Sequence, residues 1–280
     1  MRVEVNLLGT LEATVAGVSI VPSATKPSQC LALLAINAGH IVTAATLIDE
    51  LWGQHAPRRA LSTLQTYIMQ VRRRLQNAID DNGQRTPKDI LITKRVGYAL
   101  EVEPDDVDAV RYERLAAAGR RAANDGDYLT ASRKLAGALE LWRGPALVDV
   151  PTGPQLGIEA TRLEESRLSD LGLRIEADLR LGRHHQLLSE LATLCARHRL
   201  VENFWAQYML ALYRSGRQWR ALQVYREIRD TLVEQLGIEP TPRLQRLHHA
   251  MLSGDSALDE VSDGRGPVWA PDSRQVVALS

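Results

Sequence analysis

Residues 64–76 read LQTYIMQVRRRLQ, an apolar helical pattern that runs into three consecutive arginines. With Leu64 at 0° and about 100° per residue, Leu64, Ile68, Val71 and Leu75 share one side, with Tyr67 at its border. Ser62, Thr66, Met69, Gln70, Arg73 and Asn77 lie opposite. Arg73 points outward at about 180°, whereas Arg72 and Arg74 fall near +80° and −80°. The apolar stripe must face a core. Outward hydroxyl, amide and guanidinium groups suit hydrogen bonding to base edges, and flanking arginines suit phosphates or acids of the same domain. By itself the stretch also fits a solvated helix whose arginines pair with nearby carboxylates.

The neighbouring elements decide what such a face could do. VEVNLLG and LEATVAG alternate or run apolar between glycines, and Gly17 opens a turn into VSIV, which predicts a small antiparallel sheet. A helix is expected from Pro27 to the stop at Gly39, and a second after the N-cap Thr43, ending at Gly53. The third covers about residues 60–79. DDNGQRTPKD reads as a loop, and ILITKRVGYALEV as a hairpin turning over Lys94 to Gly97. Strands, three helices and a hairpin make a winged helix-turn-helix, whose third helix can enter a major groove and whose hairpin tip reaches the adjacent minor groove or backbone. The candidate DNA-binding set is therefore Thr43, Arg59, Ser62, Thr63, Thr66, Gln70, Arg72, Arg73, Arg74, Asn77, Lys94 and Arg95.

The charge distribution agrees. The 280 residues carry 34 Lys/Arg and 34 Asp/Glu, so whole-chain charge points to no polyanion. Between Arg58 and Tyr98, however, nine basic residues face three acids, while from Pro104 onward 23 meet 25. Two cysteines, Cys30 and Cys195, lie far apart in apolar helical patterns, as expected of buried small side chains in a reducing cytosol. No apolar run approaches a membrane span, and the alternating, acid-bearing N-terminus is unlike a signal peptide, so a cytoplasmic protein is expected.

Asp105, Asp106 and Asp108 read as an acidic linker into a helix N-terminus. From Asp108 to Ser253 the pattern is helical almost throughout. DGDYLTASRKLAGAL, LGRHHQLLSELATL and SGRQWRALQVYREI are related, and Gly182 and Gly216 stand 34 residues apart, the tetratricopeptide period. The repeat is degenerate, since Leu187 stands where the other two carry Ala131 and Ala221. Stacked helix pairs are expected, with Trp142, Trp205 and Trp219 in the repeat core. Residues 254–280 turn polar and read as a mobile tail, with Trp269 and VVAL docking back. Adjacent histidines at 184/185 and 248/249 diverge by about 100° and lack a carboxylate or thiolate cluster, so no metal site is expected. No nucleophile-base pair stands out, and enzymatic activity is not expected.

PSQCLALLAINAGHIVTAATLIDELWG, LQTYIMQVRRRL and ITKRVGYAL resemble the OmpR-type winged helix. Combined with helical repeats, they are similar to the SARP family of streptomycete antibiotic regulatory proteins, whose second part is the bacterial transcriptional activation domain. The resemblance covers about residues 1–253. It implies binding to direct repeats near a promoter −35 element and recruitment of RNA polymerase, including its sigma factor. No receiver domain precedes the winged helix, no P-loop occurs, and nothing long enough to bind phosphopeptides follows the repeats, as expected of the short form.

The sequence thus predicts a mixed fold: an α+β winged helix-turn-helix over residues 1–103, an all-α tetratricopeptide-like domain over 104–253, and a flexible tail over 254–280. The expected function is a cytoplasmic, nucleoid-associated transcriptional activator of a secondary-metabolite (antibiotic) gene cluster. Its expected partners are double-stranded promoter DNA and RNA polymerase; it binds as a homodimer on DNA, needs no cofactor and contacts no membrane. A protein-protein adaptor using the repeat groove and a ligand-gated repressor are the alternatives.

Overall fold

The computed structural model describes residues 2–79 and 86–258. The tail from 259, with Trp269 and VVAL, lies outside them, as do residues 80–85 of the expected loop. The chain forms two compact units, Met1–Ala117 with Gly137–Ser169 and Ala118–Ala136 with Asp170–Ser280. Each is treated by itself.

The first unit opens with three antiparallel strands, β1 (Val3–Asn6), β2 (Glu12–Val15) and β3 (Val18–Ser19), in the order β1-β2-β3. Val3, Val5, Ala13 and Val15 are buried while Glu4 and Glu12 face water, the period-two alternation of a one-sided sheet. Val15 pairs with Val18 across a two-residue turn, where Ala16 (φ 49°) and Gly17 (φ 82°) both take positive φ. That is the signature of a type I′ hairpin.

The winged helix follows: α1 (Thr25–Ile36), β4 (Val42–Thr43), α2 (Ala44–Trp52), α3 (Ala60–Ala78), α4 (Pro87–Ile90), β5 (Leu91–Lys94) and β6 (Gly97–Leu100). Helix α1 starts two residues before Pro27, which occupies the first turn, where its missing N–H has no helical partner to lose. Val42–Thr43 is a short strand completing a sheet of order β4-β6-β5. A Cβ at Gly97 would stand 2.0 Å from the Val42 carbonyl oxygen, so only glycine lets β4 approach. Part of the expected loop is the one-turn helix α4, whose Thr86 and Asp89 form a capping box before Pro87. Leu64, Ile68, Val71 and Leu75 of α3 are buried as their spacing predicts. Tyr67 stacks on Trp52 at 6.0 Å, and Lys26 lies over the Trp52 ring.

Seven helices complete the described chain: α5 (Asp108–Asn124), α6 (Tyr128–Leu139), α7 (Pro154–Arg180), α8 (His184–Arg197), α9 (Glu202–Arg214), α10 (Gln218–Leu236) and α11 (Pro242–Ser253). Gly126, Gly182 and Gly216 each take a φ of 73–79° in the turn joining two helices, and Ala131, Leu187 and Ala221 are all buried. The period breaks between Gly126 and Gly182, where residues 140–153 leave the helical pattern and bond the segment between β1 and β2. There Arg143 N–H donates to Leu8 O, Leu147 N–H to Leu7 O and Val148 N–H to Gly9 O.

Expectations for the tryptophans divide. Trp205 is buried, its Nε1 donating to Arg199 O. Trp142 is buried too, but in the first unit, edge-on to Tyr112 and beneath the Arg167 guanidinium. Trp219 is 71% exposed, which corrects the expected core position. The buried stripe of α10 runs through Ala221, Val224 and Ile228, and a residue two positions before Ala221 is about 200° away. Cys30 and Cys195 are buried thiols, each pushed up to about 12, chiefly by burial. His248 stacks on Tyr225 at 3.8 Å. Among the described residues no cluster of three or more His, Cys, Asp or Glu could hold a metal, and no helix is long and apolar enough to cross a membrane.

Two buried carboxylates hold the first unit together. Asp108, 3% exposed, accepts the N–H groups of Leu7 (2.7 Å) and Leu8 (3.0 Å). Burial raises its pKa above the ordinary carboxylate value, against those bonds and the Arg143 charge. Asp106 pairs with Arg2 and Asp105 with Arg114, so the acids of the expected linker are ties within a folded unit. Glu50, also 3% exposed, projects from α2. Its carboxylate accepts Gln29 Nε2 and the backbone N–H groups of Gly153 (2.6 Å), Gln155 (2.8 Å) and Leu156 (3.2 Å). An anion thus caps the start of α7, where unpaired N–H groups and the helix dipole favour it.

Replacing Glu50 by Ala leaves three backbone donors unmatched, at ~1 kcal/mol or more each. A loss of ~3 kcal/mol is expected in urea unfolding, and Glu50→Gln, which keeps one acceptor oxygen, should lose about half. An unchanged midpoint in Glu50→Ala would refute the cap.

Candidate nucleic-acid interface

Helix α3 places Ser62, Thr66, Met69, Gln70, Arg73 and Asn77 in solvent, opposite its buried stripe. Arg59, at its N-cap position, is exposed and Thr63 half-buried. The hydroxyls of the first turns are already engaged. Ser62 Oγ and Thr63 Oγ1 donate to Arg59 O, and Thr66 Oγ1 donates to Ser62 O at 3.1 Å. Such back-bonding spends the donor proton, so these three can only accept toward a ligand unless they break that bond. Gln70, Arg73 and Asn77 have no such internal bond to the backbone of α3 and offer the donor-rich part of the face.

The three arginines separate as their angles predict, but Arg72 takes a partner the spacing could not show. Its Nε and Nη2 donate to Leu91 O at 3.1 and 2.6 Å, and Nη2 also reaches Thr93 Oγ1 at 2.7 Å. The half-buried guanidinium is therefore clamped on β5, neither on an acid nor pointing away from the protein. Burial lowers its pKa below the ordinary arginine value, yet a guanidinium stays protonated at any physiological pH. Arg74, on the other flank, is exposed.

The wing is held from two sides. Lys94 pairs with Gly97, leaving Arg95 and Val96 as a two-residue loop, and Ala44 N–H donates to Val96 O at 3.0 Å. Lys94 and Arg95 are exposed at that tip. Thr43 is half-buried, and its Oγ1 accepts Thr46 N–H at 3.1 Å and bonds Thr46 Oγ1, so the side chain caps α2.

Furrows flank the helix. One of about 310 Å³ runs between Gln70, Arg73, Arg74, Asn77 and residues 22–24. The other, about 710 Å³, lies between Thr66, Met69, Arg73 and the Thr86–Lys88 turn. Residues 22–24 and the exposed Lys88 are therefore neighbours of the basic face that the sequence reading did not include. The T-P-K-D capping box could have located Lys88 on a helix start; residues 22–24 carry no such signal. The ridge of α3, two furrows and a braced basic tip together suit a convex helix entering a groove between two phosphate rails.

Residues 20–100 match the family described as "Transcriptional regulatory protein, C terminal", and residues 107–252 match "Bacterial transcriptional activator domain". The chain is 50% identical over 256 residues to "Regulatory protein DnrI" of Streptomyces peucetius, covering 91% of this chain and 94% of that protein. It is 38% identical over 257 residues to "Regulatory protein AfsR" of Streptomyces coelicolor, of which it spans 25%. Among solved structures, Mycobacterium tuberculosis EmbR in complex with a low-affinity phosphopeptide superposes with a TM-score of 0.82 at 34% identity. That match covers 90% of this chain and 65% of EmbR. With an OmpR-type winged helix joined to a bacterial transcriptional activator domain, the chain belongs to the SARP family of transcriptional activators and is a DNA-binding regulator, not an enzyme.

Proposed function

We propose that this protein activates a secondary-metabolite (antibiotic) gene cluster by binding direct repeats near the promoter −35 element. In this reading α3 enters the major groove. Gln70, Arg73 and Asn77 meet base edges, with the acceptor oxygens of Ser62, Thr63 and Thr66 beside them. Arg59, Arg74, Lys94 and Arg95 meet phosphates or the adjacent minor groove. Thr43 acts by capping the helix that lies over the backbone. Residues 1–103 carry the DNA contact, and 104–253 contact RNA polymerase and its sigma factor. Two protomers sit in tandem on one face of the duplex, in the cytoplasm and at the nucleoid. The relatives' printed names, regulatory and transcriptional regulatory proteins of streptomycetes and mycobacteria, support the regulatory part. The observation that carries the rest is the solvent-facing Gln70–Arg73–Asn77 row beside a wing tip tied to two other elements.

A promoter duplex titrated at several salt concentrations tests the assignment. If each protomer neutralises about six phosphates, affinity falls roughly a thousandfold between 50 and 200 mM salt. A flat response would remove nucleic acid from the reading and favour the adaptor. Footprints should show repeat centres about 10–11 base pairs apart; half-turn offsets would exclude side-by-side docking.

Three substitutions separate the arginine and lysine roles. Arg73→Ala should relax base preference at one position by about 1–3 kcal/mol, whereas Lys94→Ala should weaken every duplex alike and reduce the salt slope by about one. Arg72→Ala should also weaken every duplex while leaving the salt slope intact, and amide exchange at 91–94 should quicken. A slope reduced by Arg72→Ala as much as by Lys94→Ala would mean that the guanidinium leaves β5 for a phosphate.

A further inference from the structure

Of the six side chains on the outward face of α3, five are polar and Met69 is not. Its side chain is 66% exposed; among the described large apolar residues only Trp219 is more open to water. It sits one residue before Gln70, three after Thr66 and four before Arg73, so all four share one patch of helix surface. Thr66 adds its methyl group to the patch, since its hydroxyl proton is already donated to Ser62 O and only the acceptor lone pairs remain beside that methyl. Thr66 and Met69 together line one wall of the furrow beside α3.

The major-groove edge of DNA presents hydrogen-bonding atoms with one apolar exception, the C5-methyl group of thymine. An apolar side chain between donors that meet base edges has that group as its matching partner. Methionine suits the contact, since its unbranched, polarizable thioether adapts to a small methyl surface. We propose that Met69 is a specificity-determining residue that packs on a thymine methyl, so that the protein reads one position of each repeat by apolar contact. This rests on the DNA-binding reading above. It assigns a base type where that reading assigned only hydrogen bonds.

The test uses the full chain and the duplex it selects from a random library. Each thymine of that duplex is replaced in turn by deoxyuridine, which removes the methyl and keeps every hydrogen-bonding atom. With the wild-type protein, one thymine per repeat should lose about fourfold in affinity on replacement, the effect of unburying one methyl-sized group. With Met69→Ala the same replacement should cost nothing, and with Met69→Leu, which keeps the apolar bulk, most of the penalty should return. A penalty that is equal in wild type and Met69→Ala overturns the proposal. So does the absence of a penalty at every thymine, or a uniform loss on all duplexes with Met69→Ala. Failure to select any preferred duplex would instead overturn sequence-specific DNA binding itself, before any variant is made.

Discussion

The Glu50 carboxylate is the interaction on which the first unit turns. It leaves α2 of the winged helix, is almost wholly buried, and spends its lone pairs on three backbone N–H groups at the start of α7 and on Gln29. A buried charge without partners costs several kcal/mol, so its geometry must be over-determined. The chain meets that demand locally. Gly153 has no Cβ to collide with the Glu50 backbone, where one would lie 2.1 Å from the carbonyl oxygen, and Pro154 opens α7 without an N–H to satisfy. Asp108 does the same for the N–H groups of Leu7 and Leu8, just after β1. The first unit is thus anchored by carboxylates that are almost wholly buried.

A rigid platform matters because groove recognition is geometric. Helix α3 is a ridge whose position depends on its buried stripe, while the hairpin is held by Arg72 on β5 and by the Ala44–Val96 backbone bond at its tip. In the proposed reading, base-facing and phosphate-facing cations are then separated by fixed elements. One basic triplet yields three uses: Arg73 outward, Arg74 on a furrow, and Arg72 as a brace. A charge count would have treated them as equivalent.

Much of this was legible from residue types alone. The period-two strands, the N-cap at Thr43, the glycine stop at Gly53 and the stripe of α3 follow from local rules and appear where expected, whereas α1 ends at Ile36, capped by Asn37, before the expected stop at Gly39. The hairpin tip at Lys94 and Arg95 is as plain, because a two-residue loop between paired strands leaves little freedom. What escaped depends on contacts between residues far apart in the chain. The partner of Arg72 is a backbone carbonyl nineteen residues on, and carbonyls have no sequence signature. The acids at 105, 106 and 108 read only as a linker into a helix N-terminus because nothing local shows that Leu7, Leu8, Arg2 and Arg114 will meet them. Trp219 was assigned to the core by residue type, although its angle from Ala221 would have put it outside.

The sequence by itself determined the class of the protein, its order of elements and which side of α3 must be buried, since helical and strand periodicities are properties of consecutive residues. It also determined the turns, because positive φ and caps select their residues locally. Only the tertiary structure decided which polar groups remained available for a ligand. Hydrogen-bond capacity is consumed by whatever lies within about 3 Å, and neighbours at that range are set by packing. Four hydroxyls and one arginine of the expected DNA-binding set are engaged inside the protein, which leaves Gln70, Arg73 and Asn77, and the apolar Met69 among them, as the outward row of α3.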